Sequence, residues 1–271
     1  MTDELKNVII CNNLKGEISM GIQNKEVYQE VYPFATENIG AYFKELDFNE
    51  KTVLTVGSSL DQAFNALLLG AKHITVYDLN KNTENYYKLK KEAIATTKRT
   101  DLYKKLTNQS QIKLTKDYFP ESISQRINPY LQDDELYRKL QEKLAEDRIS
   151  FVFGDIFEMA ASLGNEKFDN IILSNILQFL DYFAKMKNRD SKELLQTSFS
   201  DWKSHLNNNG TLQLLYLYSF TKNDLTKHHT IPTYNLKEIV QTLKGNSLDI
   251  SFFSGCQQED IDAIVTYTKK R

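Results

Sequence analysis

The residues of this sequence with the clearest chemical potential are Gly57, Ser58 and Ser59, together with Asp78 about 20 residues further on. Glycine has no Cβ, so a turn at Gly57 lets a ligand come close to the backbone. An aspartate at this distance from such a turn accepts hydrogen bonds from the ribose hydroxyls of a bound nucleotide. The spacing therefore predicts a site for a ligand that contains a ribose.

The turn itself indicates which ligand fits. A pyrophosphate cofactor usually needs the glycines of G-x-G-x-x-G and the N-terminus of the following helix. Here Gly57 is the one glycine of the turn, and the carboxylate of Asp61 near the helix start would repel a diphosphate. S-adenosylmethionine (SAM) has a ribose, no phosphate and a cationic sulfonium that tolerates carboxylates. The residues therefore favour SAM over NAD or FAD, and a related domain that binds no nucleotide stays an alternative.

Polar residues after two later strands extend the predicted site. Asp155, with Ile156 beside it, is expected to accept a hydrogen bond from the adenine amino group, or alternatively to cap a helix that begins at Ile156. Ser174 and Asn175 follow another strand and are expected near the sulfonium. Ligands of open α/β sheets bind beyond the carboxyl ends of the strands, which is where these residues would meet.

Three more residues complete the predicted cofactor site. Leu79 and Asn80 follow Asp78, and Asn80 either supports the ribose or caps the next helix. Glu37 is expected to close over SAM from the N-terminal side, or to be an ordinary acid in the first turn of a helix. No metal site is predicted and the catalytic residue stays unknown, although His228 or His229 is a candidate general base.

Alternating strands and helices position these residues. Val53–Val56 is an apolar, β-branched run typical of a buried parallel strand. Ser59 and Gln62 have the spacing of a helix capping box, and the helix is expected to end at Gly70. The next predicted strand, His73–Tyr77, carries Asp78 at its carboxyl end.

The same alternation continues to the end of the chain. The last two predicted strands are separated by too few residues for a crossover helix and should pair antiparallel. The pattern predicts an α/β fold, a doubly wound, mostly parallel, seven-stranded sheet with a terminal antiparallel hairpin. The further predicted strands are 149–153, 168–174, 212–218, 248–253 and 263–268, with helices at 36–46 (Thr36 as N-cap), 81–97, 191–206 and 234–244 and a turn at 207–210.

Two regions fall outside that alternation. Residues 1–48 are expected to form an N-terminal helical cover on a SAM-binding Rossmann-like domain of residues 49–271. Residues 98–148 are charged, rich in tyrosine and too long for a plain connection, so they are expected to be a helical insertion. Since the sheet supplies the cofactor half of the site, the insertion is expected to build the acceptor pocket.

Composition narrows the classes of partner and compartment. The 271 residues carry a net charge of −2 and a pI of about 6.1, which argues against a general nucleic-acid binder. Cys11 and Cys256 are far apart and suggest neither a disulfide framework nor a zinc site. The early acids of the N-terminus are atypical of a secretory signal, and the apolar run 212–218 is too short to span a membrane. We therefore expect a cytoplasmic protein without a transmembrane segment.

Several short stretches resemble a known family. A reversed last strand near one edge of the sheet is typical of the class I SAM-dependent methyltransferase fold. The bacterial family related to the first subunit of betaine-lipid synthase is similar in the segments TENI at 36–39, VLTVGSSLDQAFNALLLG at 53–70, VYDLN at 76–80, LKKEAI at 89–94 and LSNILQFL at 173–180. This chain has Leu60 and Lys81 where that family usually has glycine and proline.

The resemblance implies an activity and a class of acceptor. It implies a SAM-dependent transferase that moves a methyl or a 3-amino-3-carboxypropyl group to a small-molecule or lipid head-group acceptor. The chain reads Ser174-Asn175-Ile176-Leu177 and lacks the Asn-Pro-Pro-Tyr type of motif, which disfavours methylation of nucleic-acid bases. A non-catalytic SAM-binding protein and an NAD(P)-dependent oxidoreductase stay as alternatives, and the sequence leaves the oligomeric state open.

Overall fold

A mixed β-sheet forms the centre of the chain. The computed structural model describes residues 31–109, 120–221, 224–228, 236–255 and 260–270. The strands are β1 (Thr52–Val56), β2 (His73–Asp78), β3 (Ile149–Phe153), β4 (Phe168–Ser174), β5 (Leu206–Thr221), β6 (Asp224–His228), β7 (Leu248–Ser254) and β8 (Asp260–Thr268).

Helices connect the strands and cover both faces of the sheet. They are α1 (Ile39–Tyr42), α2 (Asp61–Leu68), α3 (Asn82–Thr96), α4 (Arg99–Gln109), α5 (Glu121–Ile127), α6 (Pro129–Gln132), α7 (Asp134–Leu144), α8 (Ala160–Leu163), α9 (Leu180–Met186), α10 (Ser191–Ser204) and α11 (Leu236–Thr242). Short 3-10 turns occupy Phe43–Glu45, Ile156–Glu158 and Ile176–Phe179. Several predicted features lie outside the described residues: residues 1–30 of the cover, residues 110–119 of the insertion, Cys11, Cys256, His229 and the start of the helix predicted at 234–244.

The strand order confirms the predicted fold. The sheet runs β3-β2-β1-β4-β5-β8-β7, and its first five strands are parallel to one another. Strand β8 runs antiparallel to both β5 and β7 and lies between them. This is the α/β arrangement of the class I methyltransferase fold. The sequence did not predict β6, which pairs antiparallel with the extended end of β5.

The predicted turn at 207–210 is wrong, because β5 already begins at Leu206. Residues Asn207–Gly210 form an irregularity inside the strand, where the pairing with β4 shifts register between Phe168 and Asn170. Asn209 has a φ of 62°, and a Cβ on Gly210 would come within 3.0 Å of the Asn207 carbonyl oxygen. These turn-forming residues therefore serve a bulge and do not end the strand.

Two apolar clusters cover the two faces of the sheet. Trp202 and Phe199 of α10 belong to one cluster, with Leu54 and Ile171 of the sheet. The second cluster packs the strands against α2, α3 and the helices between residues 98 and 148. Its members from that last region include Leu102, Leu106, Tyr130, Leu131, Tyr137, Leu140 and Leu144. The predicted insertion thus shares one hydrophobic core with the first strands of the sheet.

The helix expected in the N-terminal segment begins later than predicted. Asn38, and not Thr36, is the N-cap of α1, since its side chain accepts a hydrogen bond from the Ala41 amide at 3.2 Å. The amide group of Asn38 also donates to the carbonyl oxygen of Ser254 at 2.9 Å. The segment before β1 is thereby attached to the end of β7, on the far side of the sheet from β3.

An acid at the amino end of β4 makes stability depend on pH. Burial alone would raise the pKa of Asp169, but hydrogen bonds from the Thr52 amide, the Asn207 amide group and the Thr52 hydroxyl hold it below its usual value. A lowered folded-state pKa stabilises the protein above the unfolded-state pKa, and this contribution disappears as the pH falls through the folded-state value.

We therefore expect Asp169→Asn to lower the free energy of unfolding near neutral pH, and to lower it progressively less towards about pH 3. Urea unfolding of both proteins across this range measures the difference. A difference that stayed constant with pH would contradict the role of the carboxylate charge.

Within the described part of the chain, no helix combines the length and apolar character needed to cross a bilayer.

Candidate functional site

Apart from Glu37, which lies before β1, the predicted site residues follow the carboxyl ends of the parallel strands β1, β2, β3 and β4. Strand β1 pairs with β2 on one side and with β4 on the other, so the chain order reverses at β1. Ligands of doubly wound sheets bind at this kind of reversal. The topology therefore predicts where a ligand would bind before any side chain is considered.

The turn after β1 has an unusual backbone. Ser58 and Leu60 have φ values of 40° and 69°, and the Leu60 amide donates to the Gly57 carbonyl oxygen at 2.8 Å. A non-glycine residue in the left-handed region costs roughly 1–2 kcal/mol. Leu60, where the similar family usually has glycine, thus adopts a glycine-like conformation and is the N-cap of α2.

The predicted capping box is wrong. Ser59 lies one residue before the N-cap, and its hydroxyl donates to Asp61 Oδ2 at 3.1 Å. Gln62 Oε1 accepts a hydrogen bond from the Thr55 hydroxyl at 2.8 Å and does not reach back to the helix start. The Ser59 hydroxyl does accept a hydrogen bond from the Asp61 amide at 3.4 Å, but the left-handed Leu60 is the N-cap residue, and Gln62 does not supply the second bond of a capping box.

Asp78 is held in place at the end of β2. Its Oδ1 accepts from the Asn80 amide at 2.9 Å, and its Oδ2 accepts from the Thr83 hydroxyl at 2.7 Å. Burial raises the pKa of Asp78, and these hydrogen bonds partly offset the increase. The carboxylate is therefore preorganised beside the turn. Sequence reasoning missed Thr83 as a partner of Asp78, although its position in the first turn of the helix after Asp78 could have indicated it.

Gly57 makes room for this carboxylate. A Cβ at position 57 would overlap Asp78 Oδ2 and would lie 2.7 Å from the Thr83 methyl group. The sequence interpretation assigned Gly57 to ligand access, whereas the structure shows the space above its Cα filled by Asp78 and Thr83. The missing Cβ of Gly57 therefore leaves the space that the Asp78 carboxylate occupies.

Gly57→Ala is accordingly expected to destabilise the protein by about 1–3 kcal/mol, the usual cost of overpacking a filled space. Gly40→Ala is the matched control, since a Cβ there meets its nearest atoms at an ordinary 3.5 Å and lies in a helix. Thermal or urea unfolding of the two variants measures the difference. Equal stability of the two variants would contradict the packing argument.

The residues that follow Asp78 differ in exposure. Leu79 is half exposed, which leaves its apolar side chain free to cover a ligand. The Asn80 carbonyl oxygen accepts from the Thr83 amide at 3.1 Å, and its side-chain oxygen accepts from the Asn82 amide at 3.0 Å. Asn80 thus shapes the start of α3, which is the second of the two roles considered for it.

Asp155 already has two partners. Its Oδ1 accepts from the Phe157 amide at 2.9 Å, which is the N-cap role considered for it, and its Oδ2 forms an ion pair with Lys187 Nζ at 2.7 Å. Ile156 beside it is buried, and its carbonyl oxygen accepts from the Trp202 indole at 2.7 Å. A contact between Asp155 and adenine stays a prediction. Lys187, which no sequence pattern indicated, lies within reach of the same carboxylate.

Glu37, Ser174 and Asn175 come together at the end of β4. Glu37 is buried, and its Oε1 accepts from the Asn175 amide group at 2.6 Å and from the Ser174 hydroxyl at 3.2 Å. Asn175 has a left-handed φ of 56°, which turns the chain directly after the strand. Residues 137 positions apart in sequence therefore place a carboxylate, a hydroxyl and an amide at the strand reversal.

Asp61 does not face the ligand side of the turn. It is fully buried, and its Oδ1 forms an ion pair with Lys90 Nζ at 2.6 Å. The expectation that its charge would repel a diphosphate is therefore wrong, because Lys90 compensates the charge inside the core. The turn still disfavours a dinucleotide, because Gly57 is its single glycine.

Comparison with known proteins supports no family assignment. No family profile and no curated protein matches the sequence. Solved structures that align include the N-methyltransferase NodS of Bradyrhizobium japonicum WM9 in complex with S-adenosyl-L-homocysteine (11% identity, TM-score 0.42, 82% of this chain and 80% of that one). A methyltransferase of Pyrococcus furiosus aligns at 13% identity and a TM-score of 0.41, over 84% of this chain and 80% of that one. These values carry no inference about activity, and they do not support the specific resemblance to the betaine-lipid synthase subunit.

Proposed function

We propose that this protein is a SAM-dependent transferase. The observation that carries the proposal is the preorganised Asp78 carboxylate, held against the glycine turn at the strand reversal by Asn80 and Thr83. An acid in this place accepts hydrogen bonds from two ribose hydroxyls. The buried Glu37 carboxylate at the neighbouring strand end suits the cationic part of the same ligand better than it suits a phosphate.

The chemistry requires little of the protein beyond positioning. SAM supplies an activated sulfonium, next to which a carbon is open to direct displacement. Asp78 holds the ribose and Leu79 covers the nucleoside half, while the turn at 57–59 lines the methionine part of SAM. Glu37, Ser174 and Asn175 orient the groups around the reacting carbon. Holding two reactants in line lowers the activation free energy by about 7–11 kcal/mol in favourable cases, so the reaction requires no strong acid or base.

The finer assignment is also part of the proposal. Methyl transfer is the simpler reading, and transfer of the 3-amino-3-carboxypropyl group to a small molecule or lipid head group is the second. The two differ in which carbon of the sulfonium faces the acceptor. We assign residues 1–48 as a cover, 49–271 as the SAM-binding domain, and the helices of residues 98–148 as the candidate wall of the acceptor pocket.

Isothermal titration calorimetry of the purified protein with SAM, with NAD as the control ligand, tests the proposal. Binding of SAM but not of NAD is the expected result. Binding of NAD without SAM would replace the proposal with a dinucleotide-dependent enzyme. After SAM binding, samples of SAM labelled separately on the methyl and on the aminocarboxypropyl carbons distinguish the two transfers, because only the transferred carbon appears in an acceptor product.

A further inference from the structure

A buried ion pair lies directly beneath the proposed cofactor turn. The side chains of Lys90 on α3 and Asp61 at the start of α2 are both 0% exposed, and Lys90 Nζ lies 2.6 Å from Asp61 Oδ1. The same Nζ donates to the Ser59 carbonyl oxygen at 2.8 Å. Lys90 therefore binds the turn itself and not only the helix that follows it.

A tyrosine from the helical insertion joins this pair. The Tyr130 hydroxyl on α6 donates to Asp61 Oδ1 at 2.5 Å. Burial and the nearby Asp61 charge raise the pKa of Tyr130 well above its usual value, so the hydroxyl keeps its proton and remains a donor. Residues 98–148 are thus connected to the cofactor turn by one specific hydrogen bond.

The N-terminal cover is attached to the same centre. Lys90 Nζ donates to the Pro33 carbonyl oxygen at 2.8 Å, and the Ala35 amide donates to Asp61 Oδ2 at 2.5 Å. The Phe34 ring lies 4.9 Å from Lys90 Nζ, within the range of a cation–π contact. Cover, turn and insertion therefore meet at one pair of charges.

We propose that Asp61, Lys90 and Tyr130 are positioning residues that hold the turn at 57–60 in its SAM-binding shape, an inference that rests on the proposed function. The turn contains two left-handed non-glycine residues, Ser58 and Leu60, which persist only where the surroundings impose them. The Lys90–Ser59 and Asp61–Ser59 hydrogen bonds supply that constraint between the two strained positions.

Tyr130→Phe tests the proposal, with Tyr137→Phe as the matched control. Each variant removes one buried hydroxyl donor of the insertion and keeps the ring. The Tyr137 hydroxyl donates to the carbonyl oxygens of Ile94 and Thr97 at 3.1 and 3.0 Å, away from the turn. The readouts are amide hydrogen exchange of residues 57–62 without ligand and the SAM dissociation constant from calorimetry.

We expect Tyr130→Phe to speed exchange in the turn by about tenfold and to weaken SAM binding by a similar factor, as for a lost hydrogen bond to a charged group. Tyr137→Phe should leave both quantities within about twofold, whatever it costs in overall stability.

The outcomes separate this inference from the proposed function. If the wild type binds no SAM, the proposed function fails and the cofactor assignment fails with it. If the wild type binds SAM but the two variants have equal turn exchange, or Tyr130→Phe keeps full affinity, the positioning role is overturned and the proposed function stands.

Discussion

Asp78→Asn is expected to weaken SAM binding by about 10- to 150-fold, the loss typical of hydrogen bonds to a charged acceptor. The substitution keeps the shape of the side chain, so Gly57 and Thr83 still pack around it. It removes the negative charge and turns one of the two acceptor oxygens into a donor. Calorimetry with SAM measures the change, and we expect a larger effect here than at any other residue of the proposed site.

Asp169→Asn is the control for this prediction. Both substitutions replace a hydrogen-bonded aspartate of the sheet. Asp169 lies at the amino end of β4, whereas Asp78 lies at the carboxyl end of β2, so the two acids are at opposite ends of the parallel strands. It should lower stability and leave the SAM dissociation constant unchanged. Equal affinities of wild type and Asp78→Asn would remove the ribose assignment, and with it the observation on which the proposed function rests.

The raised pKa of Asp78 adds a pH dependence. Burial favours the protonated carboxyl, so the acid begins to take up its proton at a higher pH than an ordinary aspartate. A protonated Asp78 can no longer accept two charge-assisted hydrogen bonds. We therefore expect SAM affinity to decline on acidification before it would for an unperturbed aspartate, and this decline should be absent in Asp78→Asn.

The fold was predictable because its signals are local and repeated. Runs of apolar and β-branched residues such as Val53–Val56 identify strands buried on both faces, and the short gap before Asp260 identifies the antiparallel pair. The bulge at Asn207–Gly210 was mistaken for a turn, since the same residue types serve both structures. Strand β6 carries no apolar run and was missed for that reason.

The candidate site was predictable in position and less so in contacts. The topology places the carboxyl ends of β1, β2 and β4 side by side, so Gly57, Asp78 and Ser174 lie at the same end of the parallel strands. Which partner each side chain selects depends on distant residues. Lys187 takes one oxygen of Asp155, and Lys90 takes one oxygen of Asp61, yet neither lysine lies near its acid in sequence. Ion pairs between residues that are distant in sequence leave no periodic pattern in the sequence, so they could not be predicted from it.

Lys90→Met is expected to lower the free energy of unfolding by about 3–5 kcal/mol, because it leaves the Asp61 charge buried without its counter-ion. That is a large part of the total for a typical domain, roughly 5–15 kcal/mol. The burial of both side chains at 0% exposure is the reason for the size of the effect. Urea unfolding of the two proteins measures it.

Lys88→Met on the same helix is the matched control. Lys88 forms an ion pair with Glu84 at 2.8 Å, but its side chain is 65% exposed, and such surface pairs contribute only about 0.3–0.5 kcal/mol. Adding Asp61→Asn to Lys90→Met should recover part of the lost stability, since the variant then buries no uncompensated charge. If the two lysine variants were equally stable, water or a neighbouring group would have to compensate Asp61, and the ion pair could not be what holds cover, turn and insertion together.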